Sequence, residues 1–168
     1  MKSIHVALIL AILFVPVGCG ANTPDPYGGE PSLAGYVMDA RDDRILVVEA
    51  IPEDFPGEGG VNAAYVSDVP SSIEVGQRVL IWFDGPVAES YPLQGKAGRV
   101  EVVPTETPEG AHRSEAEVLQ DLLTSGEVDP NGLMAVQSIV FDAEASLWRI
   151  ELFDIWEGET LHFEMEDR

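Results

Sequence analysis

One stretch near the middle of the chain, residues 76–94, constrains the fold more than any other. Within it, residues 78–83 (RVLIWF) alternate their side chains between two faces, as a β-strand requires. Both faces are largely apolar, which is typical of a strand covered on two sides, as in a small closed barrel or a sheet with a lid. Gly76 permits a tight entry, and the strand is predicted to end before Gly85-Pro86 because proline cannot donate to a strand ladder.

Four more short apolar runs predict strands that surround this one. They lie at residues 35–39, 45–49, 63–66 and 98–103. The first two are joined by a polar connection of hairpin length. Five short strands at this spacing favour an OB-like, partly open five-stranded barrel over residues 33–103, with an irregular β-sandwich as the alternative.

The chain beyond the barrel combines a helical pattern with three more strand patterns. Residues 104–112 are rich in proline and polar side chains and predict a linker. Ser114 and Glu117 have capping-box spacing, and Gly126 is placed to end the helix. Strands are predicted at residues 133–141, 147–153 and 160–166. The fold class is therefore mainly β with an α+β C-terminal unit over residues 113–168, a helix followed by a three-stranded antiparallel sheet.

The N-terminus has the pattern of an export signal. Lys2 precedes an apolar run at residues 4–17, which is too short to span a bilayer comfortably and suits the apolar region of a secretion signal. Val17-Gly18-Cys19 resembles a bacterial lipobox, from which Pro16 departs. We therefore expect a lipoprotein signal peptide over residues 1–18.

Cys19 is the predicted lipid-attachment residue and the only cysteine of the chain, so an intrachain disulfide is excluded. Residues 19–32, rich in proline and glycine, are predicted to form a flexible tether. The expected location is the extracytoplasmic face of the cell membrane, reached through the lipid on Cys19. The alternatives are a secreted protein, released by ordinary signal cleavage near Ala21, and, last, an uncleaved membrane helix.

The charge of the chain excludes some partners. Thirty Asp and Glu against nine Lys and Arg give a net charge of -21, and the acids are spread along the chain. This pattern predicts a solvated acidic surface. Such a surface repels nucleic acids and anionic lipid faces, so neither is an expected partner.

Motifs of known catalytic chemistry are missing from the sequence. It contains no Gly-x-Ser-x-Gly elbow, no His-Glu-x-x-His and no phosphate-binding Gly-x-x-x-x-Gly-Lys. After signal removal two histidines remain, His112 beside the linker and His162 on the predicted solvent face of a strand, and we do not expect them to share a metal. We therefore predict no catalytic residue, no metal site and no cofactor.

The predicted ligand rim consists of loop residues. Tyr91 and Glu89 follow the central strand where the loops of OB-like barrels meet ligands, although for Tyr91 we favour a corner tyrosine bonded to backbone. The Gly/Pro-rich loop at residues 51–62 could supply a weak cation contact or be a plain surface loop. Its acidic residues are Glu53, Asp54 and Glu58.

The three tryptophans admit two interpretations. Together Trp82, Trp148 and Trp156 could form a sugar-stacking surface. Trp82 and Trp148 lie in predicted strands, however, so we expect those two in the core.

Three segments carry a family resemblance: GYVMDARDDRILVV, IEVGQRVLIWFDGPVAESYP and GRVEVV. They resemble the bacterial domain of unknown function 3221 over roughly residues 33–103. The resemblance implies an envelope lipoprotein of a Gram-positive bacterium, with a small β-barrel and no assigned activity or catalytic residues. The loop at 51–62 is longer and richer in glycine than the family leads us to expect, so it inherits no ligand role. The C-terminal unit is similar in outline to PepSY-like or cystatin-like units.

These observations favour a non-enzymatic binding or interaction module of the bacterial envelope. Its partner would be an envelope protein, a polymer or a small ligand, reached through the barrel loops and the C-terminal unit. The alternatives are a secreted hydrolase with an acidic active site and a weak extracellular calcium-binding protein. The sequence does not set the oligomeric state.

Overall fold

The computed structural model describes residues 26–41, 43–57 and 60–168. The predicted signal peptide, Cys19 and the first part of the tether lie outside the described residues, and so does Glu58. Among the helices that are described, none has both the length and the apolar character needed to cross a bilayer.

The first half of the described chain is a closed barrel of five strands. Their order around the barrel is β1-β2-β3-β5-β4, and β4 pairs with β1 to close it. Every neighbouring pair is antiparallel except β3 with β5, which is parallel. The OB-like five-stranded barrel is thus confirmed, although it is closed and not partly open, and the sandwich alternative is wrong. The strands are β1 (Leu33–Arg41), β2 (Arg44–Val48), β3 (Ala63–Ser67), β4 (Arg78–Phe83) and β5 (Leu93–Val103).

Strand β4 is covered on both faces, as its sequence predicts. Val79 and Ile81 are fully buried inside the barrel. On the opposite face Trp82 is also buried, where its Nε1 donates to the Gly29 carbonyl at 2.8 Å and the Arg99 guanidinium lies 4.7 Å from the ring centroid. The expectation that Trp82 belongs to the core is therefore confirmed.

Strand β5 begins five residues earlier than predicted, at Leu93 instead of Gly98. Its first part pairs with β3 and its second part with β4, so it crosses from one side of the barrel to the other. Glycine is needed in this crossing: a Cβ added at Gly95 would lie 2.7 Å from the Phe83 ring. The same glycine interrupts the apolar alternation on which the prediction was based.

The C-terminal unit has the predicted elements. They are α1 (Glu115–Ser125), β6 (Met134–Asp142), β7 (Leu147–Asp154) and β8 (Glu159–Glu166), and the strands form an antiparallel sheet in the order β6-β7-β8. Both hydrogen bonds of the Ser114–Glu117 capping box are present, and Gly126 ends the helix in the left-handed conformation with φ 89°.

The larger of two apolar cores joins the barrel to the C-terminal unit. From the C-terminal unit it contains Leu119 of α1 and Trp148 of β7, and from the barrel Tyr36, Met38 and Val48. The hydroxyl of Tyr36 also donates to Glu115 Oε1, and burial together with this bond raises the pKa of Tyr36. The domain boundaries remain a prediction. The larger core contains side chains from both units, so the two units pack against each other.

Candidate binding cleft

The predicted acidic rim residues that the structure describes are all exposed. Glu89 is exposed, as are Glu53 and Asp54 in the turn after β2. A hydrogen bond joins that turn to the C-terminal sheet, since Gln137 Nε2 donates to the Glu53 carbonyl at 2.8 Å. In the described parts of the chain, no three Asp, Glu, His or Cys side chains lie close enough together to hold a metal ion.

Tyr91 is bonded to backbone and is still a surface residue. Its hydroxyl donates to the Val61 carbonyl at 2.9 Å, as the corner-tyrosine alternative predicted. Its ring is 47% exposed and meets the 56% exposed ring of Trp156 edge to face, with 5.5 Å between centroids. Burial of the hydroxyl raises the pKa of Tyr91. Two exposed aromatic rings from distant parts of the sequence are thereby held together.

Trp156 lies on one wall of a cleft of about 290 Å³ between the barrel and the C-terminal unit, which we call the interunit cleft. Buried apolar side chains form its floor, and the rings of Tyr65 and Trp156 contribute to its walls. Its polar residues are Asp39 and Arg41 of β1 and Asp129 and Asn131 of the turn before β6. The floor consists of Met38, Leu46, Leu133 and Met134.

Hydrogen bonds within the protein fix the polar residues of the cleft. Arg41 Nε lies 2.8 Å from Asp39 Oδ2, and Arg41 Nη2 donates to the Pro130 carbonyl at 2.7 Å. Asp129 Oδ1 accepts from the backbone N–H of Asn131 at 2.9 Å. These contacts hold the turn at residues 129–132 against β1, so the cleft is formed without a ligand.

A second polar cluster surrounds the buried carboxylate of Asp167, whose side chain is 1% exposed. Asp167 Oδ2 accepts from the backbone N–H of His112 at 2.7 Å and lies 3.0 Å from His112 Nδ1. Asp167 Oδ1 accepts from Trp148 Nε1 at 3.1 Å and from the backbone N–H of Arg113 at 3.3 Å. We call this cluster the Asp167 clasp, because it ties the C-terminus to the start of the helix.

Both histidines beyond the signal are exposed. The His112 side chain is 78% exposed although its Nδ1 faces the Asp167 clasp. His162 is 70% exposed and its Nδ1 lies 3.2 Å from Glu151 Oε1, so the predicted solvent-facing position is confirmed. The partnership of His112 with Asp167 was missed, since the two residues are 55 positions apart and leave no local signal.

The clasp keeps its carboxylate ionised. Burial alone would raise the pKa of Asp167, but the hydrogen bonds from His112, Trp148 and Arg113 outweigh it and lower the pKa from 3.8 to about 2. The unfolded chain therefore binds a proton here at a higher pH than the folded one does. This contribution to stability is complete above about pH 4 and is lost as the pH falls towards 2.

We expect Asp167→Asn to destabilise the protein at neutral pH and to flatten the loss of stability between about pH 4 and pH 2. Urea denaturation at several pH values measures both effects. Asp121→Asn is the matched control, because Asp121 also bonds Arg113 but its side chain is 58% exposed. If the free energy of unfolding of Asp167→Asn fell as steeply with pH as that of the unmodified protein, the proposed role of the Asp167 clasp would be contradicted.

Comparison with known proteins identifies only the barrel. Residues 34–104 match a family described as protein of unknown function (DUF3221). No curated protein and no solved structure matches the chain. The matched segment begins in β1 and ends one residue after β5, so it leaves out α1, the C-terminal sheet and one side of the interunit cleft. The part of this protein that resembles the family of unknown function DUF3221 is therefore its closed five-stranded barrel.

Proposed function

We propose that this protein is a lipid-anchored, non-enzymatic binding protein of the bacterial envelope, and that it holds its partner in the interunit cleft. The cleft is the observation that carries the proposal. It is a preformed concave site between two units, with a floor of buried apolar side chains and polar residues along its walls. Trp156, one of the four exposed large apolar side chains in the described residues, lines this site, and a second one, Tyr91, contacts the Trp156 ring.

The pKa values of three carboxyl groups are shifted in the direction opposite to that of a general acid. A carboxyl group that acts as a general acid at neutral pH needs a raised pKa. Hydrogen bonds instead lower the pKa values of Glu117, Asp142 and Asp167. The polar groups of the interunit cleft are hydrogen-bonded to each other, which suits a binding surface better than an active site.

The N-terminal sequence pattern supports the proposed envelope location. The apolar run before Cys19 supports export, and the lipobox-like Val17-Gly18-Cys19 supports lipidation. Mass spectrometry of the membrane-associated protein should find a chain that begins at Cys19 and carries lipid. Cys19→Ala is the control and should yield no lipidated product. Recovery of an unmodified Cys19 in protein that stays in the cytosol would contradict the proposal.

The binding role is tested in cells by placing a photo-crosslinking phenylalanine analogue at position 156. We expect crosslinked products to form from position 156, since an aromatic analogue retains much of the character of the Trp156 surface. Val140 is the matched control position, because it is similarly exposed, at 52%, but lies on the outer face of the C-terminal sheet. Crosslinking that is equal at both positions, or missing at position 156, would contradict the proposal that the partner binds in the cleft.

A further inference from the structure

The size and floor of the interunit cleft suit one or two side chains of a partner. Its volume of about 290 Å³ is at the lower limit of the usual range for ligand pockets, about 300–1,000 Å³. Met38 and Met134 are 8% and 4% exposed, and both contribute to the floor. Methionine side chains adapt to the shape of what they contact, so this floor can accept more than one apolar side chain.

The hydrogen-bonding groups of the cleft argue against a saccharide. A sugar is recognised through its hydroxyls, which need free donors and acceptors. Here Arg41 is bonded to Asp39 and to the Pro130 carbonyl, and Asn131 is bonded to Asp129. Each of these groups already has a hydrogen-bond partner within the protein, so a sugar hydroxyl would have to compete with an existing bond. Recognition through apolar contact is favoured.

The charged residues around the cleft favour a partner of one charge over the other. The chain as a whole carries -21, and Asp39 and Asp129 both line the cleft. Arg41 is paired with Asp39, while Arg44 lies over the Tyr65 ring, 4.6 Å from its centroid, on the barrel side. The remaining negative charge is therefore at Asp129, and it favours a positively charged neighbour.

From this geometry we infer that the interunit cleft binds a peptide segment of a partner protein, with one apolar side chain on the methionine floor and a Lys or Arg beside Asp129. The inference rests on the proposed function, since it names the ligand class of the same cleft. Trp156 closes over the apolar side chain, and Tyr91 supports Trp156 from behind through their edge-to-face contact.

Selection of random displayed peptides on the full-length protein tests this inference. Clones that also bind the Trp156→Ala variant are removed. We expect the remaining peptides to combine a Leu, Ile, Met or Phe with a nearby Lys or Arg. Selection of acidic peptides, or of peptides without an apolar residue, would overturn the inference, and so would failure to enrich any peptide.

Affinities of a synthetic selected peptide then locate the contact. Trp156→Ala should weaken binding about tenfold or more, as expected for a central aromatic residue. Asp129→Asn keeps the Oδ1 acceptor of the turn and should weaken binding by about three- to fivefold, and this loss should shrink at about 300 mM salt. Val140→Ala should bind like the unmodified protein. Unchanged affinity in Trp156→Ala would place the peptide elsewhere and overturn the inference.

Two further results separate this inference from the proposed function. If a neutral oligosaccharide binds the cleft and no peptide does, the inference is wrong although the binding role survives. The inference is also wrong, and the binding role again survives, if crosslinking in cells succeeds at position 156 while peptide selection fails. Failure of crosslinking at position 156 contradicts the proposed function itself.

Discussion

Replacing Trp148 with alanine is expected to lower the free energy of unfolding by about 3–5 kcal/mol, as for other buried aromatic residues. Trp148 is 1% exposed in β7, and its ring packs 5.2 Å from that of Phe141. Its indole N–H is also a donor to the buried carboxylate of Asp167. The substitution therefore leaves a cavity in the larger core and removes one partner of the Asp167 clasp.

Trp156→Ala is the matched control for Trp148→Ala. Trp156 is 56% exposed, and its edge-to-face contact with Tyr91 is the interaction lost. We expect a cost of about 1 kcal/mol or less. Urea denaturation of both variants measures the difference. Similar losses of stability would mean that the larger core is not organised around Trp148.

Gly76→Ala is expected to cost about 3 kcal/mol or more, because it strains the backbone and pushes the helix away from the barrel. Gly76 has φ 88°, where an alanine costs about 1–2 kcal/mol. An added Cβ would also lie 2.3 Å from the Ala116 carbonyl oxygen and 2.8 Å from the Gln120 nitrogen, both in the backbone of α1. Overpacking of this kind adds about 1–3 kcal/mol.

Gly85→Ala separates these two costs. Gly85 also has a positive φ, 76°, but nothing lies within 4 Å of the Cβ that alanine would add. We expect this variant to lose only the backbone term of about 1–2 kcal/mol. The difference between the two variants, read from denaturation curves, measures how tightly α1 packs on the barrel. Equal losses would contradict the close contact of the two units.

A displaced helix should also disturb the interunit cleft. Leu123 of α1 is one of the residues that line it. We therefore expect Gly76→Ala to weaken peptide binding, whereas Gly85→Ala leaves it unchanged. This links the stability experiment to the proposed binding role.

Local patterns were sufficient to predict the elements of the fold. The alternation in residues 78–83 predicted a strand covered on two faces, because side-chain direction in a strand depends only on position. The capping box at Ser114 and the glycine at 126 predicted the limits of α1 for a similarly local reason. Strand β5 was predicted only in part. The nearby Phe83 ring requires a glycine at position 95, and the sequence does not reveal that these two residues are neighbours.

The interunit cleft could not be predicted in this way. Its residues come from β1, β2, β3, α1, β6 and the loops before β5, before β6 and between β7 and β8. Trp156 and Tyr91 are 65 positions apart and meet only because the two units share a core. Tyr91 was predicted as a rim residue from its place after the central strand, whereas Met38, Met134 and Asp129 show no pattern that marks them as neighbours.

Amide hydrogen exchange of the full-length protein, with and without a selected peptide, tests the central claim most directly. We predict slower exchange on peptide binding in residues 38–41 and 129–134, the two backbone segments that border the interunit cleft. Residues 138–142, at the far end of β6 on the C-terminal sheet, should exchange at the same rate in both states. Protection confined to residues outside the cleft would contradict the claim that the partner is held between the two units.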